Sequence, residues 1–137
     1  MKAEILSVGT ELLLGQIVDT NAAYIARRLA ELGITLYRKT TVGDNLARVS
    51  AAVREALERA DIVIATGGLG PTEDDLTREA AADALSIRLV ESPEVLADLA
   101  RFFGARGAYM TGNNRRQALM PEPGAGRLIP NPLGTAP

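Results

Sequence analysis

The sequence contains no cysteine and no histidine. Disulfides, thiolate zinc sites, cysteine nucleophiles and every mechanism that uses imidazole as base or ligand are therefore excluded. A metal would have to be held by oxygen, which favours Mg²⁺ or a similar hard divalent ion, and acid–base work falls to Asp and Glu. Aromatic residues are scarce, with three tyrosines, two phenylalanines and no tryptophan, so a base-stacking platform is not expected. Charge of one sign is lacking too: 15 Lys and Arg against 17 Asp and Glu leave a net charge of −2, with no electrostatic footprint for nucleic acid. No run reaches the roughly 18 apolar residues of a membrane span. The start Met1-Lys2-Ala3-Glu4 lacks the plan of a signal peptide. A cytoplasmic location is expected, with no nucleic-acid and no membrane partner.

What is present fits one domain over residues 1–137, with 47% hydrophobic residues and no internal repeat or second hydrophobic core. Glu4 to Val8 reads as a first strand ending at Gly9, and Gly9 to Gly15 leaves its carboxyl end as a loop. Asp19, Thr20 and Asn21 all suit a helix N-cap ahead of an amphipathic run to Leu32, so one caps and the others are free to reach a ligand. Ile34 to Val42 alternates like a strand nearer the sheet edge. A helix follows from Asp44 or Asn45 to about Ala60, with Leu46, Val49, Val53, Ala56 and Leu57 as its core stripe and Asp44 its cap by default.

Ile62-Val63-Ile64-Ala65 has no polar face and predicts a buried, central parallel strand. A helix from Thr77 to Leu85 follows, with Ala80, Ala81, Ala84 and Leu85 inward, then a small strand in 86–90 and a helix opened by Ser92-Pro93. Residues 104–112 read as a connection, and 113–121 as a short helix stopped by Pro121. In that helix the adjacent Arg115 and Arg116 suit either a phosphate clamp or a solvated face. A turn-rich linker leads to a strand at 127–129, and the final Asn131 to Pro137 reads as an interrupted loop, as if the domain were cut short at its C-terminal end. The alternation of elements predicts an α/β fold, a mostly parallel sheet with helices on both faces and the loops after the first and third strands sharing one edge.

The stretch Gly67-Gly68-Leu69-Gly70-Pro71-Thr72-Glu73-Asp74-Asp75 carries the chemistry. Gly67, Gly68 and Gly70 allow positive φ and close backbone approach, as an anion-cradling turn needs, and the acids that follow suit a phosphate with its cation. A turn and a cap alone do not require three glycines and three acids, and Thr77 is available to cap the next helix. The pattern is neither a Walker A loop nor a dinucleotide fingerprint. Thr10 and Glu11, at the carboxyl end of the first strand, are candidates for substrate or metal contact.

Four segments stand together: Ser7 to Gly15 running on to Asp19-Thr20-Asn21, then Thr41 to Asp44, Gly67 to Thr77, and Asn131 to Pro137. Together they resemble the N-terminal domains of the CinA family, a branch of the molybdopterin-binding MoaB/MogA-like superfamily. Members usually continue beyond this point, many into a nicotinamide-mononucleotide deamidase domain. The resemblance implies a three-layer α/β/α sandwich and, for this branch, divalent-metal-dependent hydrolysis of ADP-ribose or related dinucleotide pyrophosphates, with Mg²⁺ or Co²⁺ as cofactor. It implies Asp75 and Asp74 as catalytic and metal-binding residues, Gly67, Gly68, Gly70 and Thr72 around the phosphate, and Thr10, Glu11, Asp19, Asn21 and Asp44 toward a small-molecule nucleotide substrate. Glu11 or Asp44 would complete the metal's ligands. Adenylyl transfer to a pterin, or ligand binding without catalysis, is the alternative, and relatives imply a homo-oligomer.

Overall fold

The computed structural model describes residues 1–127 and 129; the expected interrupted loop at 131–137 lies outside the described residues, as does Leu128 of the expected last strand. Three strands, β1 (Lys2–Val8), β2 (Thr35–Val42) and β3 (Ile62–Thr66), form a parallel sheet in the order β2-β1-β3. Every residue from Ala3 to Val8 is buried. Alternate side chains explain it. Ala3 and Ile5 pack on Ala22 and Leu29 of α2 (Thr20–Glu31), while Leu6 and Val8 pack on Val49 and Val53 of α3 (Leu46–Arg59) and Ala80 of α4 (Thr77–Leu85). Helices thus cover both faces, giving the expected three layers. No helix among the described residues is long and apolar enough to cross a membrane.

Several expectations need correction. β1 is the central strand, whereas β3 borders it on one side and is half-buried. An apolar run reports that both faces are covered, which holds at either place in a three-layer fold. The core stripe of α3 is Val49, Ser50, Val53 and Ala56, with Leu46 and Leu57 about two-fifths exposed. Ser50 is tolerated inside because its hydroxyl donates to Ala80 O at 3.2 Å. Asn45, not Asp44, caps α3 by accepting from Arg48 N–H. Leu85 ends α4 half-exposed.

The loop after β1 contains a short helix, α1 (Thr10–Leu13), and α5 (Pro93–Ala105) starts on its expected Ser92 cap but runs past Gly104. Beyond it the expected helix over 113–121 is only α6 (Gly112–Arg115) and a single 3₁₀ turn at Arg116–Ala118 before β5 (Leu119–Pro121). β5 pairs antiparallel with β4 (Leu89–Glu91), forming a second sheet apart from the first. Val95, Leu99 and Ala118 form its own buried cluster, contrary to the expectation of a single core. Residues 127 and 129 are not strand.

One charge lies inside this framework. Glu4 is 2% exposed on β1 and receives two hydrogen bonds of 3.0 Å from Arg59 at the end of α3. The Arg59 hydrogen bonds hold the Glu4 carboxyl below its ordinary 4.5 against the opposing effect of burial. A depressed carboxyl stabilises the fold above the unfolded-state value and ceases to do so as pH falls through the folded-state value. Acid titration of stability should therefore show a loss below pH 4.5 that is shallower in Glu4→Gln. At neutral pH that variant should lose roughly 1–3 kcal/mol by urea denaturation, less than a fully buried pair because water still reaches Arg59. Equal acid slopes for the two proteins would show that the pair does not set the acid limit.

Candidate functional site

Ser7 lies opposite Thr66 in the parallel pairing, so the loops leaving β1 and β3 emerge side by side at one edge, as expected. In open α/β sheets that edge is where ligands sit. Here it bears a cleft of about 130 Å³ lined by residues 8, 11–12, 17–21 and 66–67. Glu11, Asp19, Asn21 and Gly67 are thus brought together. Exposed Ile17 and Val18 form an apolar part of the wall.

Asp19 caps α2, accepting from Ala22 N–H at 2.9 Å through one oxygen and from the buried Ser7 hydroxyl through the other. Asn21 donates to Thr66 Oγ1 at 3.2 Å, joining α2 to β3 across the cleft floor. Glu11 is the exposed carboxylate of the set. Thr10 and Asp44 instead hold each other: Thr10 N–H donates to Asp44 at 2.8 Å, and Asp44 N–H donates to Thr10 Oγ1 at 3.1 Å. Their clasp ties the loops after β1 and β2 and keeps both residues out of the cleft lining.

Gly67 and Gly68 both take positive φ, 86° and 62°. A Cβ on Gly67 would fall inside the carbonyl oxygen of Val8, and one on Gly68 would meet the Thr77 hydroxyl. This turn therefore requires both absences. Thr77 does not cap α4, which carries no side-chain cap; its hydroxyl donates to Gly67 O at 2.6 Å.

Asp75 turns back on its own loop. Its Oδ2 accepts from Thr72 N–H at 2.8 Å and the Thr72 hydroxyl at 2.5 Å, and it lies outside the cleft lining. Burial acts to raise its carboxyl, but the Thr72 hydroxyl, the N–H groups of Thr72 and Gly70 and the Arg116 charge together hold it below the ordinary value. Asp74 is exposed next to it. Among the described residues no three carboxylates stand close enough to hold a metal ion. Asp74 and Asp75, whose Oδ2 is already engaged by Thr72, offer at most two carboxylates, a set that suits Mg²⁺ only together with waters or the phosphates of a substrate.

The two arginines part company, Arg115 exposed as on a solvated face and Arg116 partly buried. Arg115 makes a forked pair with Glu91 of β4, and Arg116 reaches Glu79 and the carbonyls of Thr72 and Asp75. Sequence reasoning also missed Ser7, Thr66 and Arg78 as partners of the site. A serine inside the apolar run from Ile5 to Val8 was the available signal for Ser7.

A family model described as a probable molybdopterin binding domain matches residues 4–137. The crystal structure of CinA from Thermoplasma acidophilum, described as having unknown function, superposes with a TM-score of 0.90 at 37% identity, covering 100% of this chain and 79% of that one. The chain belongs to the molybdopterin-binding-domain family, on its CinA branch. Within the family, a CinA-like protein of Deinococcus radiodurans is 58% identical over 98% of this chain and 33% of its own length. This CinA-like domain spans about a third of the length of such curated relatives. MoaB of Thermus thermophilus shares the fold alone, with a TM-score of 0.57 at 24% identity over 88% of this chain and 78% of that one.

Proposed function

We propose that this domain binds a phosphate-bearing pterin or nucleotide at the cleft between the β1 and β3 loops. The left-handed Gly67-Gly68 pair, seated on Val8 at the cleft edge, is the observation that carries the reading. Successive backbone N–H groups in such a turn attract an anion without a side chain. The other wall suits the rest of the ligand. Ile17 and Val18 offer apolar surface to a ring, and Glu11 accepts hydrogen bonds from amino or hydroxyl groups. About 130 Å³ is below the roughly 300–1,000 Å³ that encloses a drug-sized molecule, so part of the ligand lies across the surface.

ADP-ribose, ATP and inorganic phosphate, each titrated while thermal unfolding is followed, test this directly. A ligand at about 100 times its Kd should stabilise by about 2.7 kcal/mol. Glu11→Gln should weaken the nucleotides while sparing phosphate, and absence of any shift at millimolar ligand would remove the reading.

Hydrolysis of an ADP-ribose-type diphosphate is the finer proposal, and it requires a cation that arrives with the substrate. Turnover of ADP-ribose with and without Mg²⁺ or Co²⁺, for wild type and Asp75→Asn, distinguishes it from binding or pterin adenylylation. Metal-independent turnover, or turnover unaltered in the variant, would reject metal-dependent cleavage through Asp75.

A further inference from the structure

The glycine-rich loop is fastened almost wholly by its carbonyl groups. Gly67 O accepts from the Thr77 hydroxyl at 2.6 Å, Gly68 O from Thr77 N–H at 3.1 Å, and Leu69 O from Arg78 Nη2 at 3.1 Å. Farther on, Thr72 O accepts from Arg116 Nη1 at 2.7 Å and Asp75 O from Arg116 Nη2 at 3.4 Å. In a trans peptide the C=O of one residue and the N–H of the next point in opposite directions. Anchoring these oxygens toward the body of the domain therefore turns the N–H groups of Gly68, Leu69 and Glu73 away from the anchors.

Two guanidinium groups from separate elements share this task, and each also fixes the other's setting. Arg78 of α4 donates its Nη1 to Arg116 O at 2.8 Å, holding the 3₁₀ turn. Arg116 in return donates to Glu79 Oε1 of α4 at 2.9 Å. The second oxygen of Glu79 is buried with no hydrogen-bond partner among the described residues. Planar, forked donors suit this arrangement, because one side chain must reach two carbonyls and a carboxylate at once.

We infer that Arg116 is a positioning residue, supplied from beside the small antiparallel sheet, which holds the glycine-rich loop by its carbonyls in the conformation that presents donors to a phosphate. The inference rests on the ligand-binding reading above for its functional half, and on geometry alone for its structural half. Lysine in place of Arg116 keeps the charge but cannot make the same planar, multiple contact.

Amide hydrogen exchange and ADP-ribose calorimetry on Arg116→Ala and Arg116→Lys test both halves. In Arg116→Ala, the hydrogen-bonded amides of the loop, those of Thr72, Asp75 and Thr77, should exchange at least about tenfold faster while those of β1 and α2 keep their wild-type rates, and affinity for ADP-ribose should fall about tenfold. Arg116→Lys should recover only a minor part of either effect. Wild-type exchange in the loop, or full recovery of affinity by lysine, would overturn the inference, the latter by showing that charge suffices. Should Arg116→Ala fail to fold, loop exchange in Arg116→Lys decides: faster supports, unchanged overturns. If wild type binds none of ADP-ribose, ATP and inorganic phosphate, the ligand reading fails and loop exchange alone judges the clamp.

Discussion

Gly67→Ala is expected to remove about 4 kcal/mol of stability, a large share of the roughly 5–15 kcal/mol that holds a domain together. Two costs combine. A left-handed conformation costs a residue with Cβ about 1–2 kcal/mol, and forced overpacking typically adds about 1–3 kcal/mol. The second cost is hard to relieve here because the obstructing atom is backbone, the Val8 carbonyl oxygen of the central strand, which no rotamer change can move. Its neighbours supply a graded comparison. Gly68→Ala meets the Thr77 hydroxyl, which can rotate away at the expense of its bond to Gly67, so the loss should be smaller. Gly70→Ala meets the Asp75 carboxylate 2.6 Å away without a positive φ, and should chiefly free that side chain from the loop. Gly33→Ala, at φ 70° with nothing within 4 Å, measures the conformational cost alone. Urea denaturation of the four variants should give the order 67, 68, then 70 and 33. A Gly67 variant no less stable than the Gly33 variant would show that the turn does not rest on β1.

Asp19→Ala should cost roughly 2–4 kcal/mol through two losses. The α2 N-terminus loses its cap, and the Ser7 hydroxyl, on a residue only 1% exposed, loses its acceptor. An unpaired buried hydroxyl is costlier than no hydroxyl, so Ser7→Ala placed in the Asp19→Ala background should restore part of the stability. Asp19→Asn should lose little, since its amide oxygen can still cap α2 and its NH₂ can donate to Ser7 Oγ. Because Asp19 also lines the cleft, that milder variant separates ligand contact from folding. Simple additivity of Ser7→Ala and Asp19→Ala, with no recovery, would contradict the coupling.

The elements differed in how openly the chain displays them. α2 was readable from end to end, because its cap, its apolar spacing and the left-handed Gly33 after it are all local signals. α5 was readable at its start for the same reason, with Ser92 accepting from Val95 N–H. β5 was not. Leu119 to Pro121 follows a helical turn directly, and its partner β4 lies some thirty residues earlier, so only pairing at a distance defines it as strand. The small core around Val95, Leu99 and Ala118 was hidden for the same reason.

At the site, the glycines were legible as a special turn and the edge of the sheet as its location, while the division of labour among the polar residues was not. Asp44, Asp75, Thr77 and Arg116 all bear groups suited to ligands. In the fold each of them engages a backbone or side-chain partner that packing brings to it.

The sequence alone determined the family resemblance, the alternation of strands and helices, the absence of imidazole and thiol chemistry, and a glycine-rich turn after the Ile62 strand. Those are properties of residue type and of neighbours a few positions apart. Tertiary structure alone decided that β1 is central, that Asp19, Glu11, Asn21 and Gly67 share a cleft while Asp75 does not, and that Arg116 grips the loop. Hydrogen-bonding capacity is written in the side chain, but its use is fixed by whichever partner packing brings within about 3 Å.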